Sequence, residues 1–354
     1  MFVGVIIGPL YDAGYCRALL VAGTLMVSTG FMLTSLCTEY WQVLLAQGIC
    51  IGLGTCCLSI PSIAILPLYF VKKRARAMAL ATVGSSLGAT VYPALFNSLQ
   101  PRLGFGWTMR IFGFISLVMC LFSLAVLRPR ARSSPQKPKH WSERFSVRRL
   151  VDPSALKDRN YIVYCIAVFF SNICYFEPIF YIQSYALVHG MANLDLANYL
   201  LVILNACSIP GRIIPSIAAD RVGPLNTYIV ISALGSVSIF YWISVSNAAG
   251  NVAFAVLYGL FSGGVVSLAP VVLTSITDDL SLLGTRLGMV AVLKGAGSLI
   301  GPPASGATLD STGSYLGLQL FAAVSLFLTA AFSLLLRFRL SAERKKEAMR
   351  CIRT

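Results

Sequence analysis

The stretch Tyr161–Leu187 reads YIVYCIAVFFSNICYFEPIFYIQSYAL and carries one charged side chain, Glu177. About 20 predominantly apolar residues suffice for a helix to cross the hydrocarbon layer, where its backbone polar groups must be satisfied internally. The stretch is therefore predicted to be a membrane-spanning helix. Comparable runs lie at 18–37, 41–70, 75–99, 106–127, 196–219, 225–246, 250–275, 285–309 and 315–336, and a shorter apolar stub occupies 1–10. The fold class expected is thus an all-α membrane protein with ten full spans plus a partial one.

Composition agrees with that reading. Hydrophobic residues make up 57% of the chain and charged ones 12%, with a mean hydropathy of +0.77. Soluble domains carry roughly 25% charged residues. The net charge of +15 could suggest phosphate binding, but the basic residues sit in short segments between apolar runs, so no nucleic-acid partner is expected. One side of the membrane receives Arg17, the KKRAR run at 72–76, the basic residues of 128–160, Arg221, Arg286 and those beyond Leu336, while the other receives only Arg102. This asymmetry places the linker 128–160 and the tail 337–354 in the cytoplasm, with the plasma membrane as the expected location.

The chain shows no foothold for enzyme or metal chemistry. It has no P-loop and no paired-His motif, so no cofactor is expected and ATP-driven pumping by this chain is not predicted. Cys56 and Cys57 are adjacent, most other cysteines lie in apolar runs, and only His140 and His189 could serve as imidazole ligands. No disulfide or metal spacing emerges.

Landmarks recur at a nearly constant offset, which points to a duplicated six-helix unit. Asp12 pairs with Asp220 at 208 residues, Pro61 with Pro270 at 209, and Arg76 with Arg286 and Pro93 with Pro303 at 210. The expected organisation is a first half at 1–127, a basic Pro- and Ser-containing linker at 128–160, a second half at 161–336 and a basic tail at 337–354. Tyr161 precedes Asp220 by 59 residues, whereas 11 residues precede Asp12. By this register about 48 further residues, one whole span and half of another, are expected ahead of Met1.

Several segments carry a family resemblance. GPLYDAGYCR at 8–17 resembles the signature between the second and third helices of the major facilitator superfamily, and GRIIPSIAADRVGPLN at 211–226 resembles its second-half copy. LPLYFVKKRARAMALATVGSSLGATVYP at 66–93 and RLGMVAVLKGAGSLIGPPASGATLD at 286–310 are similar to the fourth-to-fifth helix junction and the eleventh helix of the monocarboxylate porter family. FYIQSYALVHGM at 180–191 and LNACSIPGRI at 204–213 are typical of its fungal branch. The sequence departs from the pattern at Ala79, where the family usually has Gly, and in lacking the family's first helix.

The resemblance implies a secondary transporter of the monocarboxylate-porter type that moves a small organic anion or related metabolite, with proton symport a possibility of that family. Arg212 matches the family's eighth-helix Arg, implicated in animal relatives in binding the substrate carboxylate. A guanidinium holds a carboxylate through two parallel hydrogen bonds, and the competing expectation is snorkelling to the interface. Animal relatives place a proton-coupling Asp four residues earlier; here Ser208 stands there and cannot cycle a proton. Glu177 and Lys294 are the other charges deep in spans and are candidates for substrate or coupling roles. Tyr258 and Phe261 lie on the tenth helix, which in this fold lines the cavity, and are candidates with core packing as the alternative.

Asp12 and Asp220 each end a helix at the basic face, and Arg74, Arg76 and Arg286 begin helices there. Pairs among them are expected to latch a cytoplasmic gate. Gly48, Gly52, Gly54, Gly84, Gly88, Gly295, Gly297 and Gly301 are expected to allow close helix approach. Two other functions remain open at this level: efflux of a secondary metabolite by the same fold, and a transport-incompetent remnant acting as a membrane interaction protein. In every case the lipid bilayer is the chain's immediate partner.

Overall fold

In the computed structural model, which describes residues 2–70, 72–127, 152–277 and 279–353, every long apolar run is helical and no strand forms among the described residues. The first helices are α1 (Gly4–Asp12), α2 (Cys16–Thr34) and α3 (Tyr40–Tyr69). In α3 the segment Leu44–Ile51 is a π-helix, a widening that sequence spacing does not signal. A 53-residue helix, Arg74–Val126, bends at Gly104, whose φ of 76° favours glycine. It therefore comprises α4 (74–103) and α5 (105–126) and accounts for the two spans expected at 75–99 and 106–127.

After the short α6 (Pro153–Lys157) come α7 (Arg159–Tyr175) and α8 (Glu177–Val188), which form one span broken at Phe176. Pro178 supplies no N–H to the preceding turn, which explains the break. The remaining helices are α9 (Leu194–Val222), α10 (Pro224–Ile243), α11 (Ala248–Ser275), α12 (Leu283–Thr312) and α13 (Leu316–Arg353). Nine helices among the described residues are long and apolar enough to cross a membrane, one of them being the bent pair α4–α5. The expected linker falls largely at 128–151, outside the described residues. The expected tail continues α13 as helix to Arg353.

Contacts group the chain into two compact units. The first consists of Met1–Val71, Val91–Pro153 and Asp279–Val292; the second of Lys72–Thr90, Ser154–Asp278 and Leu293–Thr354. In the first unit, α1, α2 and α3 bury Ile7, Tyr11, Leu20, Ile60 and Ala64 together. In the second, α9 and α11 approach so closely that a Cβ on Gly259 or Gly263 would strike the carbonyl oxygens of Leu204 or Ser208. Such contacts hold helices together in lipid by van der Waals packing, since lipid tails are as apolar as the helices themselves. An aromatic stack reinforces this unit, with Trp242 against Phe254 at 4.7 Å and Tyr185 edge-on to Trp242 at 5.3 Å.

The glycines that make the tightest contacts are only partly the expected ones. Gly54, Gly297 and Gly301 meet neighbouring helices, but Gly52 and Gly84 face open space and Gly48 faces only the side chain of Leu44 in its own helix. Instead Gly4 and Gly8 of α1 press on Gly288 and Gly284 of α12, backbone to backbone. Both pairs are four residues apart, one helical turn, and so lie on one face of each helix.

Candidate functional site

Arg212 stands on α9 two residues after Pro210 and is 4% exposed. Its Nη1 donates to the Thr82 carbonyl oxygen at 2.6 Å and to Ser85 Oγ at 2.8 Å, both on α4. A helical carbonyl has a second lone pair, so Thr82 can accept this bond without losing its own. One turn earlier Ser208 Oγ donates to Ser86 Oγ at 2.7 Å. The guanidinium is thus anchored at one nitrogen. Its Nε is buried and has no hydrogen-bond partner.

Glu177 opens α8 and is fully buried. One carboxyl oxygen accepts from Ser305 Oγ on α12 at 2.6 Å, and Oε2 is buried without a partner. The break between α7 and α8 frees carbonyls at the end of α7, because a helix terminus leaves its last acceptors unsatisfied. Tyr258 of α11 fills that need by donating from Oη to Tyr175 O at 2.9 Å and to Cys174 O at 3.3 Å. Tyr181 of α8 donates to Pro302 O on α12 at 3.3 Å. Glu177, Tyr258, Tyr181 and Ser305 therefore gather around one broken span.

Phe261 does not join them. It is half-buried and its Cβ lies beside Gly235 of α10. Lys294 on α12 is half-buried and forms no ion pair among the described residues. No hydrogen bond or ion pair among the described residues links Arg212, Glu177 and Lys294 to one another.

The five gate residues form a different pattern from simple Asp–Arg pairs. Asp12, at the end of α1, accepts from the backbone N–H groups of Gly284 at 3.1 Å and Thr285 at 2.6 Å and from Thr285 Oγ1 at 2.8 Å. These are first-turn donors of α12 that have no partner within their own helix, and the helix dipole favours an anion there. Asp220, at the end of α9, does the same for α4. It accepts from Ala75 N at 3.2 Å and ion-pairs with Arg76 Nε at 3.1 Å. Arg286 pairs with Asp152 at 3.1 Å, and Arg74 forms no ion pair among the described residues.

Asp152, Thr285, Ser305 and the Thr82–Ser86 turn were not singled out from sequence. The Gly4/Gly8 and Gly284/Gly288 spacings were legible as small-residue pairs, whereas Asp152 lies within the expected basic linker with no motif to mark it.

Comparison with known proteins adds the family. The description Major Facilitator Superfamily matches residues 1–275. The chain is 37% identical over 327 residues to the MFS-type transporter dbaD of Emericella nidulans, covering 92% of this chain and 71% of that protein. It is 38% identical over 326 residues to the aspyridones efflux protein apdF of the same organism, covering 92% of this chain and 64% of that one. Among solved structures it is similar to the E. coli fucose:proton symporter FucP, with a TM-score of 0.74, 14% identity, and coverage of 94% of this chain and 87% of that one. At that identity the likeness is one of fold.

Proposed function

We propose, from the premise that this chain belongs to the major facilitator superfamily and is a multi-pass membrane transporter rather than an enzyme, that it exports a secondary metabolite by alternating access. The observation that carries the direction and substrate class is the 38% identity to a protein named for aspyridones efflux. The likeness to a fungal efflux protein favours this reading over the small-organic-anion porter expected from the monocarboxylate resemblance. Within it, the helix-end contacts of Asp12 and Asp220 act as the cytoplasmic latch, and Glu177 is the candidate for proton coupling.

A strain deleted for the gene should retain within its cells a metabolite that the parent releases into the medium. Equal partition of every metabolite between cells and medium in the two strains would sink the efflux reading.

A second reading, that the substrate is anionic and docks on Arg212, is favoured by the buried, unpartnered Nε. With Nη1 anchored on α4, the Nε edge of the fork is free to meet an acceptor oxygen. Lysine keeps the charge but not the fork. Arg212→Lys should therefore weaken substrate affinity in vesicle transport about tenfold to hundredfold, the cost of a charge-assisted hydrogen bond. Unchanged apparent affinity at matched expression would leave Arg212 with only its role of tying α9 to α4.

A further inference from the structure

The second unit contains a cavity of about 310 Å³ lined by Val222 and Gly223 at the end of α9, Pro224, Leu225 and Asn226 at the start of α10, Ser275 at the end of α11, and Arg337, Leu340 and Ser341 of α13. It lies beside Arg221, at the end of the bundle that the distribution of basic residues assigns to the cytoplasm. We propose that this cavity binds a phosphate-bearing anion, with the headgroup of an anionic membrane lipid as its source. The site is separate from Arg212 and from the Glu177 cluster.

The lining carries one charge, and it is positive. Arg337 is the only ionisable group among the lining residues, and among the described residues it has no ion-pair partner. The nearby carboxylates are committed elsewhere. Asp220 is held by Ala75 N and Arg76, and Glu343 accepts from Asn160 Nδ2 at 2.7 Å. Arg337 and Ser341 are four residues apart on α13, so they share the face that meets the cavity. Asn226 Nδ2 donates to Val222 O at 2.8 Å, which fixes that amide at the cavity wall.

The backbone leaves room for a ligand. Gly223 has a φ of 102°, and a Cβ built there would meet nothing closer than Asn226 Nδ2 at 3.7 Å. The volume lies at the lower end of the roughly 300–1,000 Å³ of ligand pockets, a size for a headgroup rather than a bulky metabolite. Val222 of the lining is 62% exposed and Phe338, next to Arg337 in sequence, 64% exposed, so apolar surface adjoins the polar groups where acyl chains would run. Basic pockets between transmembrane helices on the cytoplasmic side are a known way to hold anionic headgroups, and each basic residue near such a surface is worth about a fivefold gain in binding.

The test uses the purified full chain and compares thermal stabilisation by phosphatidylglycerol, by phosphatidylcholine and by inorganic phosphate. Arg337→Gln and Ser341→Glu are the pocket variants, and Arg339→Gln removes the same charge two residues away, outside the lining. Stabilisation by phosphatidylglycerol above that by phosphatidylcholine should need about fivefold more lipid in Arg337→Gln, be lost in Ser341→Glu and persist in Arg339→Gln. If inorganic phosphate alone stabilises the wild type as well as the lipid does, and needs Arg337 to do so, the cavity is a phosphate site and the lipid assignment is overturned. Arg337→Gln responding like wild type, or Arg339→Gln responding like Arg337→Gln, overturns the site itself. Circular dichroism and elution volume matched to wild type establish that each variant is folded before its response is read.

Discussion

Two helix crossings in this protein are related by the internal repeat, and they have diverged in an informative way. In one, α1 meets the start of α12; in the other, α9 meets the start of α4. Both end in an aspartate that accepts from first-turn N–H groups of the partner helix, Asp12 on Gly284 and Thr285, Asp220 on Ala75. Further along they differ. The offset of 208 that relates Asp12 to Asp220 places Gly4 opposite Arg212 and Gly8 opposite Ser216. The first crossing is glycine against glycine, while the second is spanned by Arg212 on Thr82 and Ser85 and by Ser208 on Ser86.

The difference separates what the duplicated motif must supply from what it is free to vary. Capping a helix start needs only a carboxylate at the right place, and both copies keep it. The interior of the crossing can be sealed either by close packing or by polar bridges. Close packing tolerates no added atom, whereas hydrogen bonds can be exchanged for others as a ligand or water arrives. The α9–α4 crossing is the one that carries a buried guanidinium, and so, under the proposal that Arg212 meets substrate, the one that would respond to it.

The ion pairs beside the caps offer the strongest way to break the comparison. Asp152 and Arg286 are 5% and 11% exposed at the side chain, while in the other pair Asp220 is 10% and Arg76 36% exposed. Removing one member of a buried pair costs about 3–5 kcal/mol and losing an exposed pair about 0–1 kcal/mol, and a pair with one exposed member is expected to fall between. Asp152→Ala should therefore lower resistance to denaturation in detergent more than Arg76→Gln. Equal losses would mean that the two arginines are equivalent after all.

How much of this was legible from sequence depends on the kind of signal. Apolar length alone located the spans, and Asp12 and Asp220 stand at or near the ends of α1 and α9. Their partners were less visible, because an N–H group of a helix start has no residue code; any residue but proline at 285 or 75 could have supplied it. The pairing of Arg286 with Asp152 joins residues 134 apart without a motif, so composition could not announce it. Among the site candidates, Glu177 and Tyr258 are brought to one broken span, which Pro178 in the sequence foreshadows, while Phe261 packs toward α10 because three residues along a helix do not guarantee a shared neighbour.

The glycines sharpen the contrast at the next scale of effect. A methyl group on Gly8 would run into the Gly284 carbonyl, and overpacking of this kind costs about 1–3 kcal/mol. Among the described residues its repeat counterpart Ser216 donates only to Arg212 O of its own helix at 2.7 Å, a bond worth about 1 kcal/mol. Gly8→Ala should thus destabilise more than Ser216→Ala in the same denaturation assay. A reversed order would show that the first crossing yields to an added methyl and is not sealed by contact.

The smallest effect is expected at Gly84, on α4 two residues after the Thr82 carbonyl that holds Arg212. Its spacing to Gly88 suggests a packing glycine, yet nothing lies within 4 Å of a Cβ built there. Glycine in a helix interior costs roughly 0.5–1 kcal/mol relative to alanine through backbone entropy, and no collision offsets the gain. Gly84→Ala should therefore leave stability unchanged or raise it by up to about 1 kcal/mol, the opposite sign to Gly8→Ala. Alanine also stiffens the turn that presents Thr82, Ser85 and Ser86 to α9. If that turn must flex for transport, Gly84→Ala will slow turnover without loss of stability, and the polar crossing is the moving one. If instead Gly84→Ala destabilises as Gly8→Ala does, both crossings are sealed by close contact and the contrast between them fails.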